Sequence, residues 1–227
     1  MTTTLITGGN RGLGKETARQ LLAIGHTVYI GSRDATRGKA VADELGARYV
    51  QLDVTDDDSV TAALAQIDAE GGLDVLVNNA GIAMLALNGP DARTMFDTNA
   101  VGVIRVTEAA LPLLRKSANP VVVNVSSALG SFAANHDPAR PASHYSAIVY
   151  GATKAAVSML TVQYARAVPE VKFNAVEPGY TATELGEVDH SSGRPVEISA
   201  RNIVRMADIG RDGPTGTFQE DDGELGW

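Results

Sequence analysis

The chain has no cysteine, and that absence removes disulfide bridges, thiol nucleophiles and thiolate metal sites together. Basic residues are outnumbered: 19 Lys and Arg against 27 Asp and Glu leave a formal net charge of -8, the wrong sign for a duplex nucleic-acid binder. A phosphorylated ligand is not excluded by that sign, because a few local arginines can hold one. Histidines number only four and lack ligand spacing, so no metal site is expected. No apolar run is long enough to span a bilayer, and Met1 leads into an apolar strand without a leader pattern. The expectation is a soluble, cytoplasmic protein with a small-molecule substrate and neither nucleic-acid nor membrane partners. Aromatic residues are scarce too, whereas glycines number 23 and hydrophobic residues make up 44%. That is a globular composition. A length of 227 residues suits one α/β sheet wrapped by helices on both faces, and residues 1–227 are read as one domain.

Short β-branched runs alternate with helix-sized stretches. Thr3 to Ile6, Thr27 to Ile30, Arg48 to Leu52, Val75 to Asn78, Val121 to Val125 and Val171 to Val176 read as strands, with Thr215 to Gln219 as a last one. Helical patterns lie at Leu13 to Ile24, Ala35 to Leu45, Val60 to Asp68, Ala92 to Leu114, Tyr150 to Ala167 and Ser199 to Ala207. Strands separated by helices imply right-handed crossovers and a parallel sheet. The fold class is therefore α/β: a three-layer, doubly wound parallel sheet of about seven strands. The acidic Glu220-Asp221-Asp222-Gly223 precedes Leu225 and Trp227, and reads as a turn that returns to the fold.

Thr7-Gly8-Gly9-Asn10-Arg11-Gly12-Leu13-Gly14 joins the first strand to the first helix. Glycines there permit a tight turn, let backbone approach a pyrophosphate and aim a helix N-terminus at its charge. The spacing of Gly8, Gly12 and Gly14 is not G-x-G-x-x-G, and a glycine-rich turn alone also occurs for packing reasons. It resembles T-G-x-x-x-G-x-G, the cofactor loop of short-chain dehydrogenases/reductases. Other marks of that family follow in order: Leu52-Asp53-Val54 after the third strand, Asn78-Asn79-Ala80-Gly81 after the fourth, Asn99 in the next helix, Ser127 after the fifth strand, Tyr150-x-x-x-Lys154, and Pro178-Gly179 after the sixth. Each has a plainer reading alone. Asp53 could cap a helix, although Thr55 and Asp56 suit that better; Asn78 and Asn79 could serve a turn; Asn99 could be tolerated in a helix. Five motifs in order across essentially the whole chain outweigh those readings.

Tyr150 and Lys154 stand four apart near a helix start and share one face. A nearby ammonium favours the phenolate, so Lys154 is expected to lower the Tyr150 pKa towards the range of a proton shuttle. The resemblance implies that Tyr150 donates a proton to a carbonyl oxygen and Ser127 hydrogen-bonds it. Lys154 would hold the nicotinamide ribose, and Asn99 would anchor a relay water. Ser126 competes for the serine role, and Tyr145 for the tyrosine role, although the residue four beyond Tyr145 is Val149. The same resemblance assigns Gly8, Asn10, Arg11, Gly12, Leu13, Gly14, Asp53, Val54, Asn79, Ala80, Gly81, Pro178, Gly179, Thr181 and Thr183, together with Tyr150 and Lys154, to cofactor binding. Thr183 could also be only a helix cap.

The second strand ends Tyr29-Ile30-Gly31-Ser32-Arg33, without the acid that favours NAD. Arg33 and Arg11 can pair with a 2′-phosphate, and Ser32 can donate to it, so NADP(H) is the expected cofactor. The alternative has both arginines at the surface, with Asp34 partly neutralising Arg33. The expected activity is reduction of an aldehyde, ketone or quinone. Its rivals are an NADP(H)-binding sensor or scaffold without turnover, and an epimerase or dehydratase. The stretch from Ser127 to Tyr150 is longer than is common in the family, so Gly130 to Val149 carries an insertion. Substrate choice is expected to rest on that insertion, on Gly81 to Pro90 and on Glu184 to Ile198. Homodimer and monomer stay equally open, because the apolar helices at Ala92 to Leu114 and Tyr150 to Ala167 suit either.

Overall fold

A computed structural model describes residues 2–84, 88–186 and 192–227, so parts of two of those loops, at 85–87 and 187–191, lie outside the described residues. Strand β1 (Thr3–Thr7) leads into helix α1 (Gly12–Ala23), then β2 (Thr27–Ser32), α2 (Ala35–Leu45), β3 (Arg48–Gln51), α3 (Asp57–Ala69) and β4 (Val75–Asn78). The pattern continues with α4 (Gly89–Phe96), a π-helical turn (Asp97–Val101), α5 (Gly102–Leu114), β5 (Val121–Val125), the short α6 (Phe132–His136), α7 (Ile148–Ala167), β6 (Lys172–Val176), α8 (Val196–Ala207), β7 (Thr217–Glu220) and β8 (Gly223–Glu224).

The strands form one sheet in the order β3-β2-β1-β4-β5-β6-β7-β8. Every pairing is parallel except the last, where Glu224 returns antiparallel beside Gln219. The expected parallel sheet of about seven strands thus gains an eighth of two residues. The acidic turn does return: Leu225 is buried and the Trp227 ring packs 5.3 Å from Phe218. Strand order reverses between β1 and β4, which opens a crevice at the carboxyl edge of the sheet.

The central strands are largely apolar because both faces are covered. Side chains alternate between the two layers, as Leu5 and Ile6 illustrate. Leu5 packs with α3 and α5 residues such as Leu64 and Val106, and Ile6 packs with Leu21 of α1 and Ile203 of α8. Each such fully buried side chain contributes about 1.5–3 kcal/mol. The asparagines inside these strands are not turn residues. Asn78 donates to Thr107 on α5 and to Asn124 on β5, and Asn124 donates to Thr161 on α7 at 2.9 Å. This satisfied polar ladder fixes the helix that carries Tyr150 against the sheet.

Helix starts explain several boundaries. Asp34, Asp56 and Asn88 accept from Arg37, Ser59 and Asp91 backbone N–H groups and close α2, α3 and α4. The pattern at Ala92 to Leu114 therefore begins earlier, at Asn88, and is interrupted by the π-helical turn. The inserted stretch folds into α6 and two 3-10 turns, Ala128–Gly130 and Pro141–His144.

Candidate active site

A cleft of about 1400 Å³ runs along the carboxyl edge of the sheet. One end is floored by the turn between β1 and α1. Gly8 adopts φ 65°, the left-handed region that glycine tolerates. Gly14 has no room for a side chain, since a Cβ would lie 2.5 Å from Asn79 Nδ2 and 2.7 Å from the Gly8 carbonyl oxygen. No side chain caps α1 at Arg11, so its first-turn N–H groups open onto this cradle with the positive end of the helix dipole. Asn79 stitches the turn to the end of β4, donating to Thr7 O at 2.9 Å and Gly8 O at 3.3 Å. Ala80 N donates to Thr7 Oγ1, and Thr183 stands beside Gly12 from the loop after β6. The donor set and the space suit the pyrophosphate of a dinucleotide.

Asn10, Leu13, Val54 and Gly81 line the same cleft. Asp53 does not cap α3, which Asp56 does. Its carboxylate accepts from Thr55 N and Oγ1 instead; burial opposes ionisation, but those two bonds and the charges of Arg33 and Arg105 hold its pKa down. At the tip of β2, Arg33 is exposed and, among the described residues, has no hydrogen bond or ion pair. Asp34 pairs with Arg37 rather than with it, which corrects the reading of a neutralised Arg33. Arg11 is paired, 3.3 Å from Glu184, at a solvent-exposed site. Ser32 is buried and its hydroxyl donates to the Asp34 carbonyl, so it is less available to a ligand than its position in the sequence suggests.

Beyond the cradle, Ser127, Tyr150 and Lys154 converge. The two candidate serines separate cleanly: Ser126 is buried and bonds Lys154 O and Ser158 Oγ, whereas Ser127 is partly exposed in the cleft beside Tyr150, where its hydroxyl acts to lower the phenol's pKa. Tyr145 also lines the cleft but is 70% exposed. Lys154 is buried, donates from Nζ to Val125 O at 2.7 Å and lies 5.6 Å from the Tyr150 ring centroid. Burial pulls the Lys154 ammonium down to about 8, against the raising effect of the Glu177 charge.

The Tyr150 phenol departs from expectation. Burial and the Glu177 charge push its pKa up, and the Ser127 hydrogen bond only partly offsets them. Lys154 stands over the ring rather than at the hydroxyl, and the influences that set the phenol's pKa are burial, Glu177 and Ser127. Asn99 also differs from its expected part. It occupies the π-helical turn, and its amide accepts from Ile82 N at 2.8 Å while donating to Ile82 O and to Thr153 Oγ1. Those bonds use both amide protons and one lone pair of the oxygen, so the side chain staples the loop after Gly81 to α7.

The chain matches the short chain dehydrogenase family model over residues 2–192. It belongs to the short-chain dehydrogenase/reductase family. Within that family it is 36% identical over 242 residues to the short-chain dehydrogenase/reductase ATR10 of Stachybotrys chlorohalonatus, covering 95% of this chain and 87% of that protein. Among solved structures, the carbonyl reductase Sniffer of D. melanogaster superposes with a TM-score of 0.84 at 27% identity over the full length of both chains. A tyrosine-to-phenylalanine variant of ElxO with NADPH bound gives 0.79 at 28% identity, covering 96% of each chain. The protein is thus an oxidoreductase of a family that uses NAD(P)(H).

Several cleft residues carry no family motif and escaped the sequence reading. Arg140 of the insertion grips Glu220 of β7 with two bonds, at 2.9 and 2.6 Å. Arg194 bonds Asp221, Ser199 and Pro178 O. Glu177 accepts backbone N–H groups on both oxygens, from Ala128 and, at 2.7 Å, from Gly179. Their partners lie up to 80 residues away in the chain, so no local spacing marks them. Thr181, expected at the nicotinamide, has its hydroxyl engaged with Gly179 O and Ser199 Oγ, leaving only its backbone for a ligand.

Proposed function

We propose that this protein is an NADPH-dependent reductase of small-molecule aldehydes, ketones or quinones, with Tyr150 as the proton donor. The observation that carries this reading is the convergence of Ser127, Tyr150 and Lys154 in the same cleft as the glycine cradle. When bound, the dinucleotide supplies a hydride to the carbonyl carbon and leaves oxidised. The chain's own residues then do three things. Ser127 donates a hydrogen bond to the carbonyl oxygen and orients it. Tyr150 passes its hydroxyl proton to that oxygen, completing the alcohol. Lys154, held by the Val125 carbonyl beside Tyr150, would hold the nicotinamide ribose.

A phenol whose pKa is pushed up stays protonated at neutral pH, which is the form that reduction consumes. The unpaired Arg33 supports selection of the 2′-phosphate by a forked guanidinium, with Arg11 able to join it by leaving an exposed, weak pair with Glu184. Similarity to a carbonyl reductase and to a protein that binds NADPH supports the same reading.

The test is cofactor consumption at pH 7 against a panel of aldehydes, ketones and quinones, with NADPH and NADH in parallel. Turnover with NADPH at least about tenfold faster than with NADH is expected. Tight NADPH binding without consumption across the panel would make the protein a binding module, and a preference for NADH would remove the role of Arg33.

A further inference from the structure

Glu177 follows β6 and faces the reaction centre from the side opposite the cradle. One carboxylate oxygen accepts from Ala128, the residue after Ser127; the other accepts from Gly179, which opens the loop carrying Thr181 and Thr183. Two segments some fifty residues apart in the chain, |i−j| = 49 for the Ala128 bond, are thereby clipped together through one side chain. The groups around Glu177 are Tyr150 and Lys154 on α7, Arg194 before α8, Glu220 on β7 and Arg140 of the insertion. Among the described residues no cation lies within ion-pair distance of it. Arg140 is held by Glu220 and Arg194 by Asp221. Burial pushes the pKa of this carboxyl up, and the two backbone donors and the Arg194 charge oppose that; in its ionised form it acts on its surroundings with no cation in contact to neutralise it.

From this geometry we infer that Glu177 is a positioning residue of the reaction: it ties the Ser127 turn to the Pro178–Gly179 turn, and its carboxylate is placed to act by its charge on the Tyr150–Lys154 pair in the same cleft. The distance part follows from the two backbone bonds, since Ser127 cannot shift towards or away from the loop without breaking one of them. The charge part follows from sign. A neighbouring anion stabilises an ammonium and destabilises a phenolate, so both groups hold their protons to higher pH than they would without it.

The distance part rests on the reductase reading, and the charge part does not. The charge part is tested by NMR of lysine-labelled protein, in which Lys154 is one of five lysines and is assigned by its loss in Lys154→Met. Its titration midpoint, about 8 in the wild type, should fall by roughly half a pH unit or more in Glu177→Gln. An unmoved midpoint would overturn the charge role whether or not any carbonyl compound is turned over. Glu177→Asp keeps the charge but is one methylene too short for both bonds. It should leave the Lys154 midpoint near the wild-type value and lower kcat with 9,10-phenanthrenequinone and NADPH at least about tenfold, with the NADPH Kd changed less than about threefold. Wild-type kcat in Glu177→Asp would overturn the positioning role. No quinone turnover in the wild type would count against the reductase reading alone, and the Lys154 titration would still decide the charge role.

Discussion

The two ends of the cleft are built in different ways. The cradle end is made of backbone: glycine turns, an uncapped helix start and the Asn79 amide, all within a few residues of strand tips that lie side by side. The other end is held by long-range bonds, most of them made by side chains. Arg140 to Glu220, Ser131 Oγ to Gly226 O, Ala133 N to Trp227 O and Glu177 to Ala128 join the insertion, β6 and the C-terminal hairpin into one wall. A small apolar cluster of Ala134, Ala142, Ala175, Phe218 and Leu225 backs that wall. The difference teaches that the scaffold binding a shared cofactor can be rigid and local, while the wall that meets a variable substrate is assembled from parts that can change separately.

If the cradle depends on space rather than on charge, Gly14→Ala should do the greatest damage. Its methyl group would strike the Asn79 amide, which cannot yield because it already bonds Thr7 and Gly8. NADPH Kd from fluorescence titration is expected to rise at least about 100-fold, with a loss of roughly 1–3 kcal/mol in stability. An alanine variant with wild-type affinity would break the comparison at its firmest point. Leu225→Ala acts on the opposite wall. It should cost about 2–3 kcal/mol by denaturant titration, because this side chain is buried, yet leave NADPH affinity within about twofold.

Arg33→Ala sharpens the cradle side by separating charge from space. NADPH Kd should rise about tenfold while NADH Kd stays within about twofold, consistent with loss of one charge-assisted contact. The smallest effect is expected from Arg140→Ala, which frees Glu220 beside Glu177 and loosens the insertion. KM for a carbonyl substrate should rise roughly threefold to tenfold with cofactor affinity unchanged. A change in NADPH Kd there would show that the two ends are mechanically coupled.

The same contrast explains what could be read from the chain. Strand and helix order followed from periodicity, and Gly8, Gly12, Gly14, Ser127, Tyr150 and Lys154 were legible because the turns and helix faces that carry them are local. The π-helical turn at Asn99 was hidden because the apolar pattern runs through it unchanged, and the amide's partners, Ile82 and Thr153, lie 17 and 54 residues away. Glu177, Arg140 and Arg194 were invisible for the same reason. The Tyr150 pKa was misjudged because residue spacing gives the presence of Lys154 but not the burial of the phenol or the carboxylate of Glu177.

The central claim is that Tyr150 supplies the proton in a cleft that binds NADPH independently of it. The most direct measurement pairs NADPH Kd with single-turnover reduction of a reactive quinone in Tyr150→Phe. The account predicts a Kd within about threefold of the wild type and a rate reduced at least about 100-fold, in line with loss of general acid catalysis. A rate equal to that of the wild type would contradict it.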